Sequence, residues 1–285
     1  MGIKFKNVGH EYQSFSGFDD AIKNINLEIA GEGECIAILG HTGAGKSTLV
    51  QHMNALLYPT SGVVTIFGQD LPPKKREKVN HLRQKVGLVF QFPEYQLFEN
   101  TIIEDISFGP KNFKSTKAHA LENAKKAAKA VGIDETLYNQ SPFRISGGQM
   151  RRVAVAGILA MDPSILVLDE PTRGLDPKGR DEVMDIFLNI HNEENKTIVL
   201  ITHDMDLVSK YAKRTIVLKD GEIVFDGLKE DLFVHPDFDS FNLDLPTTLK
   251  ILKELHSKLG IKYEPKYTKE DLIVYLKEVK LWKLI

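Results

Sequence analysis

The sequence has little of three things that would place it in particular classes of protein. It contains one cysteine, Cys35, among 285 residues, so no disulfide can form within the chain, and this composition suits a reducing compartment. Its formal net charge is −2, which gives no electrostatic reason to expect nucleic-acid binding, although a short basic run occurs at residues 74–76. We therefore expect a chain that folds without disulfides and does not bind nucleic acid.

Long hydrophobic runs are missing as well. A helix that spans a bilayer needs about 20 consecutive apolar residues, and the one long candidate is interrupted by Asp162 and Pro163. No signal-peptide pattern precedes Ile3. Since 42% of the residues are hydrophobic, the chain can nevertheless bury a large core. The expectation is a fully folded chain without a membrane-spanning segment.

A glycine-rich stretch in the first part of the chain fits the phosphate-binding pattern G-x-x-x-x-G-K-[ST]. It follows the apolar run at residues 35–39 and precedes a helix-forming stretch, so a strand is expected to end there and a helix to begin. Backbone N–H groups of such a loop, together with the positive end of the helix, bind phosphate oxygens. Lys46 would reach the β- and γ-phosphates, and the Ser47 hydroxyl would bind Mg²⁺. The predicted ATP-binding residues of this loop are Gly40, His41, Thr42, Gly43, Ala44, Gly45, Lys46, Ser47 and Thr48.

A second glycine motif opens a predicted helix near the middle of the chain. It consists of Ser146, Gly147, Gly148 and Gln149, and strong helix formers come directly after it. Ser146 is predicted to be the N-cap, and the two glycines leave the N-terminus of the helix bare as a second anion-binding end. By itself Ser-Gly-Gly is also a common loop composition, so its interpretation depends on its position, one helix before an acidic strand end.

The third motif is a pair of acids after a buried strand. Residues 165–168 form a continuous apolar run of the kind buried in a parallel sheet, and Asp169 and Glu170 follow at its carboxyl end, where open α/β sheets bind ligands. Asp169 would hold Mg²⁺ through its water shell, and Glu170 would polarise the attacking water as a general base. A helix cap or a solvated strand end is the alternative for each carboxylate.

In this order the three motifs resemble those of ATP-binding cassette (ABC) ATPases, and the resemblance covers about residues 3–232. It implies an α/β fold: a P-loop NTPase (RecA-like) core with an N-terminal antiparallel β subdomain and a helical lobe inserted at about residues 93–161, which carries the Ser-Gly-Gly signature at its end. The ATPase domain would span residues 1–235, with ATP and Mg²⁺ as cofactors.

The resemblance also implies a dimer. In that family the signature of one subunit closes over the phosphates held by the other, and Asp176 lies in a stretch similar to the loop that crosses to the opposite subunit. The chain has one set of motifs and no internal repeat, so the second ATPase subunit, identical or related, would be another chain.

Three further positions are assigned by the resemblance. Tyr12 resembles the aromatic residue that stacks on adenine, with Phe15 and Phe18 as alternatives because a stack needs only a π-face. Gln91 resembles the glutamine that reaches Mg²⁺ and senses the membrane partner, and His203 resembles the switch histidine on the γ-phosphate. Gln91 and His203 would thus join Glu170 in catalysis, and the metal would be held by Ser47, Gln91 and Asp169.

After residue 235 a separate C-terminal extension is predicted, at residues 236–285. A helix begins at Pro246 and ends at Gly260, and a second helix follows Thr268 as its N-cap. The first helix carries one leucine-rich stripe, formed by Leu245, Leu249, Leu252, Leu255 and Leu259. Helices this short are marginal alone, so the stripe must pack against either this chain's ATPase core or the partner ATPase subunit.

Residues 90–110 are similar to the ATPases of energy-coupling-factor transporters, and residues 172–176 to the second of their paired ATPase types. Those transporters import vitamins and cobalt or nickel ions, and two ATPases grip a transmembrane coupling protein that carries a small substrate-binding membrane subunit. The similarity implies a peripheral protein on the cytoplasmic face of the cell membrane. The alternatives are the ATPase of a conventional importer fed by an extracellular binding protein and a soluble ABC protein that works on nucleic acid or ribosomes.

Overall fold

The computed structural model describes residues 2–14, 17–71, 78–113 and 116–279. Phe15 and the basic run at residues 74–76 lie outside these ranges, and the side chain of Phe18 is likewise not described. Within the described ranges no helix is both long and apolar enough to cross a membrane.

The strands form two sheets. Their bounds are β1 (Ile3–Ser14), β2 (Gly17–Ile29), β3 (Cys35–Leu39), β4 (Ser61–Ile66), β5 (Gln69–Leu71), β6 (Val86–Val89), β7 (Ile165–Asp169), β8 (Thr197–Ile201), β9 (Arg214–Lys219) and β10 (Glu222–Leu228). One sheet is antiparallel with the order β2-β1-β4-β5. The other has the order β10-β9-β3-β8-β7-β6 and is parallel except for the edge strand β10.

Helices surround the parallel sheet and cover both of its faces. Their bounds are α1 (Lys46–Met53), α2 (Asn80–Lys85), α3 (Ile102–Asn112), α4 (Lys117–Ala130), α5 (Gly147–Leu159), α6 (Pro177–Glu194), α7 (Met205–Tyr211), α8 (Lys229–Phe233), α9 (Thr247–Leu259) and α10 (Lys269–Glu278). Short 3₁₀ turns occur at Pro93–Gln96, Glu135–Leu137, Pro142–Arg144 and Phe238–Phe241. This arrangement confirms the predicted α/β fold.

The central strand β3 shows how the layers are built. All five of its residues are buried, as expected for a strand covered on both faces. Because successive side chains point to opposite faces, Ile36 and Ile38 pack towards the antiparallel sheet, whereas Ala37 and Leu39 pack towards the C-terminal helices. Cys35 at the start of the strand is a free, buried thiol, and burial raises its pKa to about 11.

The helices α3, α4 and α5 lie between β6 and β7 in sequence and pack on one another. In α4 the buried face consists of Ala120, Ala124, Ala127 and Ala128, at the spacing of one helical stripe. Small side chains let the helices approach closely, and α5 then leads the chain back to β7.

The C-terminal extension packs on the chain's own core. Leu249 and Leu252 of α9 are each 1% exposed and belong to the same apolar cluster as Ala37 and Leu39. Of the two alternatives for the leucine stripe, the structure therefore favours the chain's own ATPase core. The last leucine of the stripe, Leu259, remains 43% exposed, and Gly260 ends the helix with φ 65°.

Candidate active site

The phosphate loop, residues 40–48, connects β3 to α1 and includes two glycines at which a side chain would clash with the backbone. Gly40 and Gly45 have φ values of 142° and 99°, which L side chains rarely adopt. A Cβ at Gly40 would lie 2.2 Å from the carbonyl oxygen of Leu218, and one at Gly45 would lie 2.4 Å from that of Ala21. Gly45 is also the N-cap of α1 and makes no side-chain capping bond, so the first N–H groups of the helix remain available to an anion.

Lys46 folds back over this loop. Its Nζ donates hydrogen bonds to the carbonyl oxygens of Gly40 at 2.7 Å and His41 at 2.9 Å. Partial burial lowers the pKa of Lys46, while the carboxylates of Glu170 and Asp169 act in the opposite direction. The lysine is therefore held between the loop and the acidic end of β7.

The two predicted acids lie at the end of β7. Burial raises the pKa of Asp169, the neighbouring Glu170 raises it further, and Lys46 opposes both effects. Glu170 has φ 49°, and its backbone N–H donates to the carbonyl oxygen of Ile201 at the end of β8, at 2.9 Å. The Nδ1–H of His203, just after β8, donates to Glu170 Oε1 at 2.8 Å. Two adjacent parallel strands thus bring the predicted base and the predicted switch histidine into contact.

One cavity of about 590 Å³ joins these groups. Of the predicted site residues it is lined by Gly40, His41, Thr42, Lys46, Glu170 and His203. This volume is within the range of small-molecule sites. Ser47 is exposed at the start of α1, and Thr48 behind it is 7% exposed.

Tyr12 lies beside the helix that leaves the phosphate loop. Its hydroxyl is 3.3 Å from Thr48 Oγ1, and its ring packs edge-on against His10 at a centroid distance of 4.7 Å. The side chain is 42% exposed, so part of the ring is free to contact a base. The strand β1 therefore carries an accessible aromatic ring next to α1.

Gln91 follows β6 and is tied to the residues after Glu170. With its amide oriented so that the oxygen faces the guanidinium, Gln91 accepts hydrogen bonds from Arg173 Nε at 2.8 Å and from Nη1. Arg151 of α5, only 4% exposed, donates to three carbonyl oxygens: those of Gln91 at 3.2 Å, Pro171 at 2.5 Å and Arg173 at 3.1 Å. Burial lowers the pKa of Arg151, and Glu94 opposes this effect.

Sequence reasoning did not find the roles of Arg151 and Arg173. A signal for Arg151 was present, since it is a charged residue on the buried side of a helix whose neighbours Val153 and Ala154 are apolar. Its acceptors, however, are backbone carbonyls, which leave no trace in side-chain patterns.

The signature lies at an exposed helix start. Ser146 Oγ accepts from the N–H of Gln149 at 3.3 Å, and Gln149 Oε1 accepts from the N–H of Ser146 at 3.0 Å, which is the reciprocal capping box. Gly147 and Gly148 are exposed, and an added Cβ at either would meet no heavy atom within 4 Å. The predicted N-cap is confirmed, and the glycines leave the helix end open.

The signature and the phosphate loop line different cavities in the described part of the chain. Gly148 lines a cavity of about 420 Å³ together with Gly174, Leu175 and Asp176. Asp176 also caps α6, because its Oδ1 accepts from the N–H of Gly179 at 2.9 Å. The second cavity thus combines the signature with the predicted dimer loop, residues 174–176, and lacks the phosphate loop. Gly174 of the dimer loop lines both cavities.

Comparison with families of known proteins agrees with this geometry. Residues 22–173 match the family described as ABC transporter. The chain is 48% identical over 268 residues to the energy-coupling factor transporter ATP-binding protein EcfA2 of Bacillus licheniformis, covering 93% of this chain and 92% of that protein. It is 50% identical over 261 residues to EcfA2 of Latilactobacillus sakei subsp. sakei, covering 90% of this chain and 89% of that protein.

Solved structures show the same fold. The structure of cbiO1 from Clostridium perfringens, part of the ABC transporter complex cbiONQ, matches with a TM-score of 0.73 and 34% identity, covering 90% of this chain and 95% of that one. The ATP-binding cassette MJ0796, dimeric in a post-hydrolysis state with ADP and Pi bound, matches with a TM-score of 0.70 and 33% identity, covering 79% of this chain and 98% of that one. The resemblance stated from the sequence motifs is confirmed.

Proposed function

The chain belongs to the ATP-binding proteins of energy-coupling-factor ABC transporters, and from that membership we propose that it works as one half of an ATPase dimer that drives a membrane importer. It is an ATP-hydrolysing subunit, and its transported cargo would be a vitamin or a transition-metal ion. The ATPase domain would comprise residues 1–235, with the helical lobe at about residues 93–161, and the extension residues 236–285.

One observation carries the dimer proposal: the phosphate loop and the signature line separate cavities. Lys46, Glu170 and His203 line one, whereas Gly148 and Asp176 line the other. Gly147 and Gly148 are exposed at the start of α5, and an added Cβ at either would meet no heavy atom of the described residues within 4 Å, so an anion could approach this helix end. A second ATPase subunit, identical or related, would bring its own signature to this chain's phosphate loop and would receive this chain's signature in return.

The phosphates of ATP would lie on the phosphate loop in the cavity of about 590 Å³, and the adenine would extend beyond this cavity to Tyr12. Ser47, Gln91 and Asp169 would hold Mg²⁺, since they offer a hydroxyl, an amide and a carboxylate oxygen, which are the hard ligands that this ion prefers. To do so, Gln91 would exchange its hydrogen bonds with Arg173 for the contact with the ion. Bound Mg²⁺ would neutralise phosphate charge.

The residues of the chain then divide the work of hydrolysis. Glu170 would accept a proton from the attacking water, and the contact of its Oε1 with His203 Nδ1 supports a fixed orientation for the carboxylate. Lys46 would hold the β- and γ-phosphates, and Asp176 would contact the opposite subunit. Closure of the two subunits on ATP, hydrolysis and reopening would form the power stroke.

An exposed aromatic group beside Gln91 supports a membrane partner. Its members are Phe90, Phe92, Tyr95, Phe98 and Phe108, and Tyr95 is 82% exposed. Exposed aromatic clusters of this kind mark protein interaction sites. The transmembrane coupling subunit would dock there and carry the substrate-binding membrane subunit, which makes this chain a peripheral protein on the cytoplasmic face of the cell membrane.

Replacing Glu170 tests its proposed role as the general base in ATP hydrolysis. Glu170→Gln removes the base but keeps the shape of the side chain, so ATP binding should remain and turnover should fall by roughly 10²- to 10⁴-fold. Gel filtration of the variant with Mg²⁺ and ATP should show a stable ATPase dimer, because closure is no longer followed by hydrolysis. Undiminished phosphate release would reject Glu170 as the base.

Purification of the tagged chain from gently solubilised native membranes, followed by mass spectrometry, tests the partners. We expect a related ATPase or a second copy, a coupling membrane protein and small substrate-binding membrane subunits. A permease with an extracellular binding protein would instead indicate a conventional importer. Recovery only with ribosomes or nucleic acid would overturn the transport proposal.

A further inference from the structure

The helix α7 begins two residues after His203, and hydrogen bonds fix its N-terminal end. At its start, Asp204 Oδ1 accepts from the N–H groups of Asp206 at 3.0 Å and Leu207 at 3.3 Å. Asp204 Oδ2 accepts from Arg180 Nη1 at 3.1 Å, and Arg180 Nε donates to the carbonyl oxygen of Leu175 in the dimer loop at 3.1 Å. The backbone around His203 is therefore fixed through the position of α7.

The first helix of the extension, α9, is hydrogen-bonded to α7. Helix α9 begins after Pro246, which makes no side-chain capping bond. The carboxylate of Asp206 takes over this function, because Thr247 N–H donates to its Oδ1 at 2.6 Å and Thr247 Oγ1 donates to its Oδ2 at 2.7 Å. A carboxylate at a helix N-terminus also interacts favourably with the helix dipole. Two short bonds and one charge thus tie the first helix of the extension to the helix after His203.

A second tie and an apolar contact lie further along α7. Ser209, which is 1% exposed, donates its hydroxyl hydrogen to the carbonyl oxygen of Tyr267, just before α10. The buried side chains of Met205 and Val208 share an apolar cluster with Leu249 and Leu272 of the extension. Helix α7 is consequently clamped between the core and both helices of the extension.

The extension also reaches the active-site cavity itself. Asn242, Leu243 and Asp244 line the 590 Å³ cavity together with Lys46, Glu170 and His203. The chain passes from that cavity wall to Thr247 within three residues. The active site is therefore connected to the extension in two ways. Residues 242–244 form part of the cavity wall, and α9 is bonded to α7, which follows His203.

We propose that the C-terminal extension positions the switch histidine, with Asp206 and Thr247 as the positioning pair that holds α7, and so His203, at the ATP site. The inference rests on the proposed function of His203. Asp206 does not line the cavity and acts only through the helix. Loss of the clamp leaves the phosphate loop intact, so it slows hydrolysis and leaves ATP affinity in place.

Three variants of the full-length chain, assayed in the assembled ATPase dimer, test the clamp. Asp206→Ala removes both bonds and the charge, Thr247→Val removes one bond, and Thr247→Ser keeps both. We expect kcat to fall by about tenfold for Asp206→Ala and less for Thr247→Val, with Thr247→Ser near wild type and the KM for ATP within about twofold throughout. Glu254→Ala is the matched control, since it breaks an exposed ion pair with Lys258 on the same helix α9.

The fraction of chains that bind ATP is titrated for each variant, so that kcat refers to folded sites. An unchanged kcat for Asp206→Ala overturns the proposal. So does a loss that follows the ATP-binding fraction alone, since that is the result of a merely structural contact. His203→Ala distinguishes failure of the proposed role of His203 from failure of the clamp. If His203→Ala is fully active, the proposed role of His203 is wrong. If His203→Ala is inactive while Asp206→Ala is fully active, only the clamp is rejected.

Discussion

The Nδ1 of His203 lies 2.8 Å from Oε1 of Glu170, and the two side chains differ sharply in exposure: 75% for His203 and 15% for Glu170. The carboxylate is thus sheltered at the end of β7, while the imidazole reaches it from the open side of the cavity. Because the histidine occupies one lone pair of the carboxylate, it fixes the direction of the remaining ones. The orientation of the proposed base therefore depends on its neighbour from β8.

From this contact we expect His203→Ala to lower kcat by roughly 10²-fold, with a much smaller change in the KM for ATP, since Lys46 and the phosphate loop remain. Phosphate release under saturating Mg²⁺ and ATP measures the effect. His119→Ala, at an exposed position of α4, is the matched histidine control. Normal turnover in His203→Ala would show that Glu170 is oriented without it.

Asp169 is expected to be needed for hydrolysis and to lower the stability of the folded chain at neutral pH. Its pKa is raised in the folded chain, so folding favours its protonated form: the stabilising contribution is full below the unfolded pKa and is lost as the pH rises through the folded pKa. At neutral pH the ionised, partly buried carboxylate is therefore a cost. Asp169→Asn should raise Tm by a few degrees at pH 7 and less at acidic pH, while hydrolysis is lost.

Thermal unfolding of both proteins between pH 4 and pH 8 in EDTA checks this expectation, because bound Mg²⁺ would otherwise compensate the charge. Asp181→Asn, at an exposed position of α6, serves as the control and should leave Tm nearly unchanged. A lower Tm for Asp169→Asn at neutral pH would contradict the assigned direction of the pKa shift.

Much of the site was predictable because its chemistry is written in short, local patterns. A strand, a glycine loop and a helix start come one after another around Gly40, and a serine followed by two glycines and strong helix formers marks the cap at Ser146. His203 was assigned by the family resemblance, and its position just after a continuous apolar strand supported that assignment. The fold was predictable from the family resemblance that these motifs carry.

Contacts between distant segments could not be predicted from the sequence. Arg151 binds carbonyls that lie 20 to 60 residues away in the chain. Helix α9 is capped by Asp206, which lies 41 residues before Thr247. Neither partnership leaves a periodic pattern. The packing of Leu249 on the core is a similar case, since an apolar stripe shows that something covers it but does not identify what does.

Tyr12 is expected to carry the adenine stack. Tyr12→Ala should weaken ATP binding by roughly 5- to 150-fold, because stacking on an aromatic ring contributes about 1–3 kcal/mol per base. Tyr12→Phe is the control: it keeps the ring and loses only the hydroxyl contact with Thr48, so affinity should stay within about threefold of wild type. Unchanged binding by Tyr12→Ala would move the stack to Phe15 or Phe18, and the same substitution there would decide between them.

Arg151 joins α5 to the loops that follow β6 and β7, and its replacement tests this connection. Its guanidinium spans three carbonyl oxygens, and the compact ammonium of lysine cannot reach all of them. Arg151→Lys should therefore lower stability by about 1–3 kcal/mol, through the buried carbonyls left unpaired. It should also reduce kcat severalfold, since Gln91 and the residues after Glu170 lose their common support.

The neighbouring arginine allows a matched control for this prediction. Arg152 makes an ion pair with Glu182 over 3.4 Å on a partly exposed surface, so Arg152→Lys should change stability by less than about 1 kcal/mol. Urea unfolding gives the stabilities of both variants. Phosphate release at saturating ATP gives kcat, which is compared only between Arg151→Lys and wild type, because Arg152 lines the cavity that holds the signature. If the two lysine variants behave alike, the three carbonyl bonds of Arg151 do not hold these loops together, and another contact must link α5 to the loop that carries Gln91.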